Sequence, residues 1–260
     1  MTISPKIMRP YWVRILIIAL ALSAPLVSAA VAADTTGLMS EAHQAMDAKD
    51  YALAAKDYLA AASAGNAEAQ AFLADMYRNG GEGVDQDYYQ ALLWAQKAAD
   101  QGSTRAMITL GVLYRDGLGV PQDASKALRE FEAASTAGDM KGPRYVGLFY
   151  EAAGDAAKAF AAYQLGADRG DITSQYLLGK AYELGTGVTQ DYALAAKWYA
   201  TSASRGDIIA SDGMVGLASL YERGLGVAKD TAKSIALYRQ AAAVGNAAAK
   251  AAIARLSPSP

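Results

Sequence analysis

The sequence predicts an all-α solenoid built from repeated helix pairs, and three observations carry that prediction. Glycines that end helical segments fall at Gly65, Gly102, Gly138, Gly170, Gly206 and Gly245, with separations of 37, 36, 32, 36 and 39 residues. Once short insertions and one deletion are allowed for, Tyr77, Tyr114, Tyr150, Tyr182 and Tyr221 stand in register with them. On both sides of each intervening loop, apolar residues recur at helical spacing. A module that repeats has a face that repeats, so the pattern favours an extended binding surface over a catalytic pocket.

The first 32 residues stand apart from this pattern. Lys6, Arg9 and Arg14 precede an apolar run from Ile15 to Leu22, followed by Ser23, Pro25 and a small-residue stretch ending at Ala33. That is the order of a secretory signal, with Ala30-Val31-Ala32 as the cleavage triplet, so residues 1–32 are expected to be removed near Ala32. The alternative is an uncleaved anchor, because the apolar character approaches the ~20 residues that span a bilayer. The address expected is an exported one, the bacterial periplasm or beyond, with the mature chain meeting the membrane only during export. With no cysteine in 260 residues, neither a disulfide nor a lipid-modified N-terminus can form. Beyond the leader, 21 bases face 26 acids, which gives no reason to expect nucleic acid as a partner.

The elements follow in order. Residues 33–66 read as a short polar link, Asp34 to Gly37, and then a tetratricopeptide-like helical hairpin. Its helices carry Leu38, Ala42, Ala45 and Met46, then Leu53, Ala54, Tyr58 and Ala61, with Lys49 and Asp50 between them and a stop at Gly65. Residues 67–256 hold five repeats and a closing helix. In each repeat, helix A places Leu73, Leu110, Val146, Leu178 or Leu217 four residues before its tyrosine, so the two share a buried face. Between them stand Ala74, Gly111, Gly147, Gly179 and Ala218. Glycine inside a helix costs ~1 kcal/mol against alanine, so its recurrence implies a close approach that a side chain would block.

Loop glycines at 117, 119, 185, 187, 224 and 226 permit a tight reversal, and Val84, Val120, Val188 or Val227 follows to plug the hairpin. Helix B opens on Asp87, Asp123, Asp155, Asp191 or Asp230, each an N-cap worth ~1 kcal/mol, and Asp87 to Gln90 has capping-box spacing. Its core positions pair a small residue with one four further on: Ala91 with Ala95, Ala127 with Phe131, Ala159 with Tyr163, Ala195 with Tyr199 and Ser234 with Tyr238. The third repeat lacks four loop residues around Tyr150 to Asp155, and the fifth gains three around Ile208 to Gly213. Ala247 to Leu256 matches the start of another helix A and should cover the last helix B, leaving 257–260 as a frayed tail.

Taken together, Ala-x-x-x-Leu-Gly-x-x-Tyr, Gly-x-Gly-Val-x-Gln-Asp, Ala-x-x-Trp-Tyr and Ala-x-x-Gly, at 36 residues, resemble the Sel-1-like repeat family, relatives of tetratricopeptide repeats. Residues 172–207 carry the fullest copy, and the resemblance covers 67–256. It implies a right-handed α/α superhelix that serves as an adaptor or regulatory scaffold for other proteins. Exported bacterial members include regulators of sensor kinases, which would make the periplasmic domain of a membrane protein a suitable partner. Cysteine-rich members reported to bind β-lactams staple each repeat with a disulfide, which this chain cannot do.

No catalytic constellation accompanies the repeats. The single histidine, His43, has no second histidine or cysteine with which to hold a metal, and its place in the first hairpin suits a structural role. The Gly-x-Gly-Val loops lack the lysine and Ser/Thr of a phosphate-binding loop. Neither Ser-x-x-Lys nor Gly-x-Ser-x-Gly occurs. Of the carboxylates Asp85 and Asp87, capping accounts for one and solvation for the other. Trp94, Trp198 and Tyr199 fall on the core side of helix B. The reading is therefore of a non-enzyme without cofactor or metal.

In solenoids of helix pairs, helices A line the concave surface. The helix A positions flanking the core stripe, expected to face that groove, are Asp75, Arg78, Val112, Arg115, Leu148, Glu151, Lys180, Glu183, Ser219 and Glu222. They differ from repeat to repeat, which suits recognition of an extended or helical segment of one protein. The function expected is an exported protein-interaction scaffold or regulatory adaptor. The competing readings are a β-lactam-binding or hydrolysing enzyme, which lacks a nucleophile or metal, and a cell-wall or envelope structural protein.

Overall fold

The computed structural model describes residues 24–81 and 83–256. The basic and apolar parts of the expected leader, and the tail 257–260, lie outside these. Among the described residues there are thirteen α-helices and no strand, only a single bridge between Gly81 and Val84. The all-α prediction of helix pairs is met. The chain divides between Gln101 and Gly102 into two compact units.

The first unit contains α1 (Ala24–Asp47), α2 (Tyr51–Ser63), α3 (Ala67–Asn79) and α4 (Tyr88–Asp100), each packed on the next. Here one expectation fails. Asp34 to Gly37 is not a link, because α1 runs straight through it. Thr35, Met39 and Ala42 are all buried at helical spacing, so packing overrides the weak helix propensity of Thr35, Thr36 and Gly37. His43 lies edge-on to the rings of Tyr58 and Phe72, which stack with centroids 5.1 Å apart. It packs edge-on against these rings from an exposed position.

The second unit begins with three helix pairs: α5 (Thr104–Asp116) with α6 (Ala124–Thr136), α7 (Gly142–Ala152) with α8 (Ala156–Asp168), and α9 (Ile172–Leu184) with α10 (Tyr192–Ala203). A fourth pair, α11 (Ser211–Arg223) with α12 (Thr231–Ala243), is closed by α13 (Ala247–Leu256). Within this unit each helix packs on its sequence neighbours, and α5 also touches α7 while α9 touches α11, so successive helices A lie side by side in these two places. Each helix B is clamped between its own helix A and the next. Tyr163 of α8, for example, shares a core with Leu148 of α7 and Leu178 of α9.

All five predicted aspartates cap helix B, each accepting a backbone N–H from two or three residues on. The reciprocal arm of a capping box at Asp87 is not what forms. Instead the N–H of Asp87, Asp123, Asp155, Asp191 and Asp230 donates to the carbonyl of the repeat tyrosine, at 2.8–3.0 Å throughout. The tyrosine register thus fixes where helix B starts as well as where helix A packs.

The helical glycines answer to the aromatic position of helix B. A Cβ on Gly111 would lie 2.3 Å from the Phe131 ring, one on Gly147 2.4 Å from Tyr163, and one on Gly179 2.7 Å from Tyr199. The loop glycines serve the stacking between repeats as well as the turn: a Cβ on Gly187 would lie 2.1 Å from the Ala156 carbonyl oxygen at the start of the preceding helix B. In the third repeat α7 passes to α8 through a short turn whose Gly154 has open space around it. The deletion removes the loop and keeps the pair. In the fifth repeat the insertion makes a turn at Asp207 to Ala210 that leaves Ile208 and Ile209 exposed.

Candidate protein-binding surface

The last turn of helix A carries a device that the tyrosine register sets up. The residue after the tyrosine is Glu151, Glu183 or Glu222 in the last three pairs, and the aromatic position of helix B is then Tyr163, Tyr199 or Tyr238. Each phenol donates to its glutamate: Tyr163 to Glu151 Oε2, Tyr199 to Glu183 Oε2 at 2.7 Å and Tyr238 to Glu222 Oε2 at 3.3 Å. Burial first, and the neighbouring carboxylate second, push these phenols above their ordinary range. In the two repeats where the residue after the tyrosine is Arg78 or Arg115, helix B offers Ala95 or Phe131, neither with a hydroxyl. The signal was present in the sequence as this covariation.

Two of the three glutamates also take an arginine from the next helix A. Arg223 of α11 reaches Glu183 Oε1 at 3.1 Å, and Arg255 of α13 binds both oxygens of Glu222 at 2.7 and 2.8 Å. The Arg255 hydrogen bond holds the Glu222 carboxyl below its ordinary value. Among the described residues Glu151 takes no such cation. At the register of Arg223 the next helix A presents Leu184, 60% exposed, and at the register of Arg255 it presents Lys180, which forms no ion pair among the described residues.

Beside Glu151 the short α7–α8 turn leaves a cavity of 230 Å³. Phe160, Leu177, Ala181 and Leu184 give it apolar walls, while Glu151 and Lys180 bring one charge of each sign. It is the place where a missing loop, an unfilled carboxylate and an exposed leucine coincide.

The remaining groove candidates are disposed unequally. In the first unit, Asp75 and Arg78 pair with each other at 3.5 Å, both half-buried. In the second unit Val112 corrects the expectation: at 7% exposure it belongs to the core with Phe131, because Tyr145 and Val146 of the next helix A pack over it. Leu148 is half-buried against the α8–α9 core. Arg115 forms a two-pronged pair with Asp116 at 2.7 Å on each arm, which raises its already high pKa. Ser219 is half-buried, and Glu183 and Glu222 are tied into the lattice of tyrosines and arginines. Of the ten, Glu151 and Lys180 are the two that line the cavity. Trp94 and Tyr199 are buried and Trp198 packs half-buried against the α8 core, as expected of core residues. Among the described residues no group of three metal-ligating side chains comes together, and no helix is long and apolar enough to cross a membrane.

Comparison with known proteins places these features in a family. The Sel1 repeat profile matches residues 67–103, 104–139, 172–207 and 211–246, leaving out the shortened third pair. The chain is similar in structure to c5321, a protective antigen of uropathogenic Escherichia coli strains with an SLR fold, at 32% identity and a TM-score of 0.72 over 90% of this chain and 51% of that one. A Sel1 repeat protein from Oxalobacter formigenes is 31% identical with a TM-score of 0.66, over 74% of this chain and 76% of its own. Among curated proteins, rat DAP3-binding cell death enhancer 1 is 30% identical across 46% of this chain. This chain spans about a third of that relative's length, 32%. The immunity protein Pa5087 of Pseudomonas aeruginosa, at 22% identity and a TM-score of 0.54, shares the fold.

Proposed function

The chain belongs to the Sel1 repeat family, and from that premise we propose that it is an exported scaffold or regulatory adaptor that grips a segment of one partner protein. Sel1 repeat proteins mediate protein–protein interaction. The observation that carries the finer reading is the cavity at the shortened repeat, where exposed Leu184 meets Glu151 and Lys180, two charges that form no ion pair among the described residues. The two following repeats tie the equivalent carboxylates, Glu183 and Glu222, to an internal arginine. A surface of exposed apolar groups rimmed by charge suits a protein segment. The names of two relatives, one DAP3-binding and one a regulatory factor for chitin synthase in Schizosaccharomyces pombe, describe proteins that act on other proteins. The leader-like first 32 residues support a site of action outside the cytoplasm, with the periplasmic domain of a membrane protein as a fitting partner.

The test is co-purification from native cells of the wild type beside Lys180→Glu combined with Leu184→Asp. Both positions are exposed, so the variant should keep its helix content and melting temperature. Loss of a wild-type partner is expected. Retention of the same partners by the folded variant contradicts the reading. Mass spectrometry of the secreted or periplasmic fraction should find a chain beginning near Ala33, and an intact Met1 in membranes would contradict cleavage.

A further inference from the structure

We infer that the cavity beside Glu151 receives an arginine side chain from the partner, an inference that rests on the interaction-scaffold reading above. The molecule itself displays what this carboxylate takes. Glu183 and Glu222 hold the same station in the next two repeats, and each accepts one tyrosine hydroxyl and one arginine. Glu151 has its tyrosine, Tyr163, and, among the described residues, no arginine. The internal donor is missing because Leu184 stands where the next repeat has Arg223.

The surroundings match such a guest. A cavity of 230 Å³ is below the usual range for a drug-sized ligand, ~300–1,000 Å³, and suits one long side chain. Phe160, Leu177 and Leu184 offer apolar surface to the methylene stem, and the head meets a carboxylate already oriented by Tyr163. Guanidinium is preferred to ammonium here, because its flat fork can bind the carboxylate in parallel, as Arg255 does on Glu222. Lys180, on the rim, opposes a visiting cation modestly through solvent and is itself open to an acid next to the partner's arginine.

The test is an NMR titration of the isotopically labelled full chain with N-acetyl-argininamide and with the citrulline analogue, which keeps the shape and loses the charge. Saturable shifts confined to residues 151–160 and 177–186 are expected with argininamide, and at least fivefold weaker binding with citrulline. Glu151→Gln should weaken argininamide at least fivefold, and Leu184→Arg, which supplies the missing internal donor, should abolish its binding. Glu183→Gln, whose arginine site is already filled, should leave it unchanged. Equal binding of citrulline, full binding by Leu184→Arg, or no saturable shift in the wild type overturns the inference. If argininamide fails while the charge-altered rim still releases its partners, the anchor falls and the scaffold reading stands. If argininamide binds as expected while that rim retains every partner, the scaffold reading falls, and a protein source for the arginine with it.

Discussion

A hydrogen atom at position 179 leaves the space that the ring of Tyr199 occupies. Replacing Gly179 with alanine would recover ~1 kcal/mol of helix propensity, but it puts a Cβ 2.7 Å from that ring, and overpacking of a filled core costs ~1–3 kcal/mol. The balance falls on the side of overpacking, so Gly179→Ala should lower stability by up to about 2 kcal/mol in urea unfolding, against the sign that propensity alone predicts. The tyrosines make a second prediction at this scale. Tyr163, Tyr199 and Tyr238 hold their protons more tightly folded than unfolded, where the ordinary value is about 10. Their contribution is therefore complete below pH 10 and lost as pH rises above it. Melting temperatures should fall on the alkaline side, and Tyr199→Phe should flatten that fall while losing the bond to Glu183. An identical alkaline profile in wild type and variant would contradict the assignment.

At the scale of the element, helix B depends on a cap that the sequence states openly. Asp191 accepts the N–H groups of Ala193 and Leu194, at 2.8 and 2.9 Å, and its own N–H is held by the Tyr182 carbonyl. Asp191→Ala should cost about 1 kcal/mol in equilibrium unfolding, and Asp191→Asn much less, because asparagine caps nearly as well. Caps, turn glycines and the small residues of helix A were all legible in the sequence, because each is a local rule that recurs along the chain, the aspartate cap five times. What one helix places over the last turn of its neighbour was not. Helical spacing identified the side of helix A that flanks the core, which is why Val112, Glu183 and Glu222 were assigned to the groove. It did not show that Tyr145 and Val146 cover Val112, or that Arg223 and Arg255 occupy the two acids. The continuation of α1 through Asp34 to Gly37 was hidden for a similar reason, since burial of Thr35 decides it.

Over the molecule as a whole, the glutamates of the fourth and fifth repeats take an internal arginine, and among the described residues that of the shortened third does not. The closing helix α13 shows the regular case, for Arg255 ties it to α11 through Glu222 while Ala249 joins the last core. Glu222 has a folded pKa below its ordinary value of 4.5, so its contribution is present above that pH and lost as pH falls through the lower folded value. Acid melts of the wild type should therefore lose stability below pH 4.5, and Glu222→Gln should flatten that loss. The shortened third repeat is the departure, and its cavity is the part of the surface to which function is assigned. Site-specific photocrosslinking in native cells tests that assignment most directly, with the crosslinker placed at Leu184 or, for comparison, at the exposed helix B residue Arg239. The account predicts a discrete protein adduct from position 184 and none from position 239. Adducts from 239 alone, or equally from both, would contradict it.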